Sequence, residues 1–141
     1  MPAGDLILDT GGWLMALAGR APWSEAMEDA GRLFVPGLVL AEVDYHLRHR
    51  RREMWRILDE VSSGEYAYEP PTTADLRRAI EIDRKFASAE LGIVDASIAA
   101  LAERLGIRRV LTTDSDMAVV RFGERWHLSL ELAVPLPKRR H

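Results

Sequence analysis

Four acids in this chain stand where an α/β protein keeps its chemistry. Asp9 closes the apolar run Leu6-Ile7-Leu8, Glu42 lies within Leu38-Val39-Leu40-Ala41-Glu42-Val43, Asp95 follows Ile93-Val94, and Asp114 follows Val110-Leu111 at a distance of three residues, with Asp116 behind it. Carboxylates gathered at one place repel each other unless a cation stands between them. Hard oxygen donors of this kind suit Mg²⁺ or Mn²⁺. One or two such ions can lower the pKa of a water and clamp a phosphodiester for in-line hydrolysis. Thr10 and Thr112, beside these acids, can hydrogen-bond the ligating carboxylates. Each acid also has a simpler role open to it. Asp9 can be a helix N-cap, Asp95 and Asp114 can be first-turn residues favoured by the helix dipole, and Asp116 can be a solvated acid. Glu42 is predicted buried, where a lone carboxylate is costly. Asp44 falls about 200° round the helix from Glu42 and is expected in solvent, away from it.

The elements that must position these acids alternate. Leu6-Ile7-Leu8 is a short buried strand ended by a Gly pair, and Trp13 to Ala18 a first helix. Pro22 to Ala30 is a second helix and Leu33-Phe34-Val35 a second strand. Leu38 to Leu47 is a helix that carries Glu42 and continues through Met54, Trp55, Leu58 and Val61 to Ser62-Ser63-Gly64. Tyr66-Ala67-Tyr68 reads as a strand, followed by a helix capped by Thr72 or Thr73 with Leu76, Ile80, Asp83 and Phe86 along its length. Ile93 to Leu105 is the clearest helix, with Val94, Ile98, Leu101 and Leu105 in phase and Gly106 just beyond its end. Arg109-Val110-Leu111 is a strand, Met117 to Arg121 a short helix, and His127 to Val134 a last strand. This alternation predicts an α/β fold, a parallel sheet with helices on both faces. In such sheets ligands bind outside the carboxyl ends of the strands, where all four acids are expected.

Composition sets the bounds. A chain of 141 residues that is 48% hydrophobic and 29% charged is one soluble globular domain with room for a core. The absence of cysteine excludes a disulfide framework and any thiolate-bound metal, and fits a reducing cytoplasm. No apolar run reaches the length of a membrane span, and the N-terminal stretch lacks the basic start of a signal peptide. The net charge of −3 does not by itself suggest nucleic acid. The bases are unevenly placed, however, with a run of Arg48, Arg50, Arg51, Arg52 and Arg56 that begins one to two helical turns beyond Glu42. Arginine suits phosphate through bidentate contacts, so these are RNA-binding candidates, set against a plain solvated helix face.

Four pieces of the chain, taken together, resemble a PIN-domain protein of the VapC ribonuclease-toxin type. They are Leu6-Ile7-Leu8-Asp9-Thr10, Val39-Leu40-Ala41-Glu42-Val43, Gly92-Ile93-Val94-Asp95-Ala96-Ser97-Ile98 and Leu111-Thr112-Thr113-Asp114-Ser115-Asp116-Met117. They span nearly the whole chain in the family's order. The resemblance implies a three-layer α/β/α fold with a five-stranded parallel sheet, in one domain over residues 1–136 with a disordered basic tail at 137–141. It implies an endoribonuclease dependent on Mg²⁺ or Mn²⁺, whose acidic quartet falls on Asp9, Glu42, Asp95 and Asp114 with Asp116 as accessory acid. It also implies an RNA substrate, a VapB-type antitoxin that blocks the site, and a homodimer. Two departures are visible. Gly11 and Gly12 stand where the family often has Ser or Ala, and Met117 where it often has an aromatic; neither removes a ligand.

Other readings of the same residues are weaker. Asp9-Thr10-Gly11 after an apolar strand is also the triplet of aspartic proteases, but those are all-β and the Ile93–Leu105 helix opposes it. A receiver domain needs a phosphorylatable Asp after the third strand and a late Lys, and this chain has Glu69-Pro70-Pro71 and only Lys85 and Lys138. The non-enzymatic alternative is a catalytically silent PIN-like scaffold that binds RNA or protein. Binding alone gives no reason to collect four repelling charges.

Overall fold

The computed structural model describes residues 3–137; the predicted basic tail from Lys138 onward lies outside the described residues. Five strands form the central sheet: β1 (Leu6–Leu8), β2 (Leu33–Pro36), β3 (Ala67–Glu69), β4 (Arg109–Leu111) and β7 (Glu131–Leu132). Their order is β3-β2-β1-β4-β7 and every pairing is parallel, with Ile7 opposite Phe34 on one side and Val110 on the other. β1 is therefore central. Its three side chains are fully buried, which is why it reads as an unbroken apolar run.

Six helices connect and cover the sheet: α1 (Thr10–Leu17), α2 (Trp23–Asp29), α3 (Gly37–His46), α4 (Arg51–Ser62), α5 (Thr73–Lys85) and α6 (Gly92–Leu105). α6 buries every residue from Ala96 to Ala102 and ends on Gly106, whose left-handed backbone (φ 68°) closes it. α5 opens with a capping box in which Thr72 and Asp75 exchange side-chain and backbone hydrogen bonds.

The structure corrects several sequence expectations. The apolar stripe of α5 is not Leu76 and Ile80, which are 39% and 50% exposed; Asp75, Ala79 and Ile82 face inward instead. Asp75, only 4% exposed, is tolerated there because Arg104 of α6 reaches it at 3.1 Å. The helix carrying Glu42 does not run on through the arginines. It ends at His46, and a turn through residues 47–50 separates it from α4. The short helix expected at Met117–Arg121 is a 3₁₀ turn, Ser115–Ala118. The single last strand is two: β6 (Leu128–Ser129) pairs antiparallel with β5 (Arg121–Phe122), while β7 joins the main sheet, with buried Leu130 between them.

Candidate active site

Asp9 is both an N-cap and part of the acidic site. It leaves β1 with extended backbone (φ −95°, ψ 157°), and α1 begins at the next residue. Its Oδ1 accepts from the Thr10 amide at 2.9 Å and its Oδ2 from the Thr112 hydroxyl at 2.6 Å. Thr112 is nearly fully buried, and its oxygen also accepts the Asp114 amide at 3.0 Å. On the other side of Asp9, the Thr10 hydroxyl donates to Glu42 Oε1 at 2.6 Å. Thr10 and Thr112 thus tie the carboxylates of Asp9 and Glu42 and the backbone amide of Asp114 into one chain of hydrogen bonds. Asp114 caps the 3₁₀ turn by accepting the Asp116 amide at 2.9 Å.

Asp95, in the first turn of α6, faces the same group. Burial raises its carboxyl, and the charges of Asp9, Asp114, Glu42 and Asp116 raise it further, to about 7. The Asp9 carboxyl is also held above its ordinary value, first by burial and then by the charges of Glu42 and Asp114, against the lowering effect of its hydrogen bonds. The other four acids named from the sequence therefore all act on Asp95 at the carboxyl edge of the sheet, and Glu42 and Asp114 act on Asp9 as well. Glu42 departs from expectation in being exposed rather than buried, because α3 turns Val39 and Val43 inward. Thr10, not burial, fixes it. Asp44 is half-buried and is taken up by Arg51 at 2.8 Å.

Two residues that the sequence did not single out hold this arrangement. The Trp23 indole N–H of α2 donates to the Thr112 carbonyl at 3.1 Å, securing the loop that carries Thr112 and Asp114. Gly12 lets α1 approach β4; a Cβ there would run into the Leu111 carbonyl and lie 2.6 Å from the Thr112 amide nitrogen. At Gly11 a Cβ would meet only the Thr113 hydroxyl first, at the end of an exposed side chain. The Gly pair in the sequence was the available signal.

The donor set is all oxygen. Among the described residues no three acids or imidazoles close into a ready coordination shell. The set suits a hard divalent cation that keeps several waters and takes one or two carboxylates directly, since such a charge relieves the mutual repulsion registered at Asp95. The arginine run is divided by the turn. Arg48 stacks on Tyr45 and donates to its carbonyl at 2.9 Å, Arg50 pairs with Glu53 at 2.7 Å, and Arg51 pairs with Asp44.

Comparison with known proteins agrees with this architecture. No curated protein matches the chain. Among solved structures it is similar to VapC20 of Mycobacterium tuberculosis, described as a sarcin–ricin loop cleaving toxin, with 22% identity and a TM-score of 0.68 over 79% of this chain and 91% of that one. It is similar to VapBC2 from Rickettsia felis, solved bound to a DNA fragment of its promoter, with 16% identity and a TM-score of 0.69 over 91% and 98%. A toxin–antitoxin complex from Klebsiella pneumoniae gives 17% identity and a TM-score of 0.64 over 78% and 87%. At these identities the likeness is one of fold. A model of the PIN domain matches residues 6–123, from the first central strand through the last acids to the β5 ribbon, and the chain belongs to the PIN domain family.

Proposed function

We propose that this chain is a divalent-metal-dependent endoribonuclease and the toxin of a toxin–antitoxin pair. The observation that carries the reading is the gathering of Asp9, Glu42, Asp95, Asp114 and Asp116 at one edge of the sheet, where burial first and the charges of the other four acids second push Asp95 up to about 7. Asp9, Asp95 and Asp114, with Glu42, are the residues to hold Mg²⁺ or Mn²⁺, and Asp116 is the accessory acid. A bound ion of this class supplies Lewis acidity at the phosphate and a water able to attack at neutral pH. The protein's own part is orientation. Thr112 and the Thr10 amide fix both oxygens of Asp9, and the Thr10 hydroxyl fixes Glu42. Arg48, Arg50, Arg51 and Arg52 are the candidates to hold RNA phosphates. The similarity to VapC20 and to two toxin–antitoxin complexes supports an RNA substrate and a VapB-type antitoxin as partner; a homodimer and a cytoplasmic setting belong to the same reading and rest on the VapC resemblance alone.

The test is cleavage of single-stranded or looped RNA by purified protein. Cleavage is expected with Mg²⁺ or Mn²⁺ and none in EDTA. Asp9→Asn, Glu42→Gln, Asp95→Asn and Asp114→Asn should each lose most activity, about 10²-fold or more as for removal of one electrostatic transition-state group, and Asp116→Asn less. Undiminished cleavage in excess EDTA rejects the metal mechanism. RNA that is bound but left intact with both ions makes the chain a silent scaffold.

A further inference from the structure

Beside the acidic site runs an apolar groove of about 350 Å³ between α3 and the start of α6, lined by Leu38, Ala41, Glu42, Tyr45, His46 and Ile93 among others. One of its walls is Glu42 itself, and Ile93 stands two residues before Asp95, so the groove is continuous with the candidate active site. Its largest side chain is not covered by the chain. Tyr45 is 61% exposed and Ile93 51%. Yet Tyr45 is not loose. The Arg48 guanidinium lies 4.2 Å from its ring centre and donates to its carbonyl, and the His46 ring meets it edge-on at 6.0 Å. A fixed, exposed aromatic ring with a cation against it and an apolar floor matches one occupant in particular. A nucleotide offers a flat π-face to the ring and floor and a phosphate to the arginine. Tyr45 follows Glu42 by three residues on the same helix face, about 4.5 Å along the axis, a distance that a single nucleotide spans.

We infer that Tyr45, with Arg48 and this groove, forms a base-stacking subsite that seats the nucleotide flanking the scissile phosphate. The subsite presupposes the ribonuclease activity proposed for this chain. Stacking is tolerant of base identity, so the subsite distinguishes a base from no base rather than one base from another.

The test uses a hairpin RNA spanning a site that the wild-type protein cuts in total cellular RNA, and the same hairpin made abasic at either nucleotide flanking the cut. With the intact hairpin, Tyr45→Ala should raise KM about ten- to a hundredfold, the loss of one stacked base, with kcat changed less; Tyr45→Phe should restore it. One abasic hairpin should lower wild-type kcat/KM by a similar factor and should cost Tyr45→Ala almost nothing more. Equal cutting by wild type and Tyr45→Ala overturns the subsite alone. So do losses that multiply, each change costing its full factor in the presence of the other. A wild-type protein that cuts no RNA with either Mg²⁺ or Mn²⁺ overturns the subsite together with the ribonuclease reading.

Discussion

Asp95 bears the electrical cost of the site. Its folded carboxyl, at about 7, lies above the unfolded value of about 4. Protonation therefore stabilises the fold. That contribution is fully present below pH ~4 and is lost as pH rises through 7, and Asp9, also raised, acts in the same direction. At neutral pH without metal, burial of this charge and the repulsion of its neighbours together cost about 1–2 kcal/mol once solvent screening is allowed for. Asp95→Asn is expected to melt above wild type in EDTA at pH 7.5 and to lose that advantage at pH 4. Mg²⁺ should raise the wild-type melting temperature by mass action and move the mutant less. A destabilised mutant with no Mg²⁺ response in either protein would mean that these acids are unrelated. Thr112 serves the same carboxylates from beneath. Thr112→Val keeps the shape but leaves Asp9 Oδ2 without its buried donor, so RNA cleavage should fall by more than the change in melting temperature accounts for.

Between elements, the decisive fit is α1 against β4. Glycine in a helix costs up to about 1 kcal/mol relative to alanine, and this chain carries two in the first turn of α1. The Ser or Ala that the family often has would not fit at Gly12 without displacing the Leu111–Thr112 backbone. Gly12→Ala is expected to cost about 1–3 kcal/mol, seen as a fall of several degrees in melting temperature. Gly11→Ala, facing only a side chain that can rotate, should be near neutral or slightly stabilising. Equal melting of the two variants would show that the approach is not tight. α5 and α6 are joined differently. Burial acts to raise the Asp75 carboxyl, but the Thr72 amide and Arg104 outweigh it and hold it below its ordinary value. Its contribution is present above pH ~4 and lost as pH falls through the lowered value, opposite in sign to Asp95. Arg104→Ala should cost about 1–2 kcal/mol at pH 7, short of the loss of a fully buried pair because Arg104 is 36% exposed, and less in acid, measured by denaturant titration. This pair also explains a misread helix. Leu76 and Ile80 carry the apolar signal in the sequence, while the inward face is set by a carboxylate whose partner lies 29 residues away.

Across the whole molecule, the elements legible in the sequence were those whose signal is local. Leu6-Ile7-Leu8, Val110-Leu111 and the small apolar run of α6 need no partner to be recognised, and they carry Asp9, Asp114 and Asp95. What stayed hidden depends on contacts across the chain: Trp23 on Thr112, the β5–β6 ribbon, and the end of α3 at His46, where Arg48 turns back onto Tyr45. The break redistributes the arginines, so they no longer form one helical face. If Arg48 and Arg52 still contact phosphates, replacing both with Ala should lower the slope of log affinity against log salt by about 0.7 per lost contact on single-stranded RNA, measured by titration at several salt concentrations. An unchanged slope would assign them elsewhere. The central place of β1 has one more consequence, and it concerns birth rather than stability. One of the two strands that flank β1, β4, is synthesised about a hundred residues after it, and the Thr112–Asp9 bond spans 103. At about 5–20 residues per second, the ribosome needs roughly 5–20 s to bridge that gap. Until α6 is made, Asp9 stands beside an unfilled sheet edge with no acid from α6 or the β4 loop to meet. The five acids come together only once the chain has passed Asp116, and a chain interrupted before that point lacks a complete acidic site.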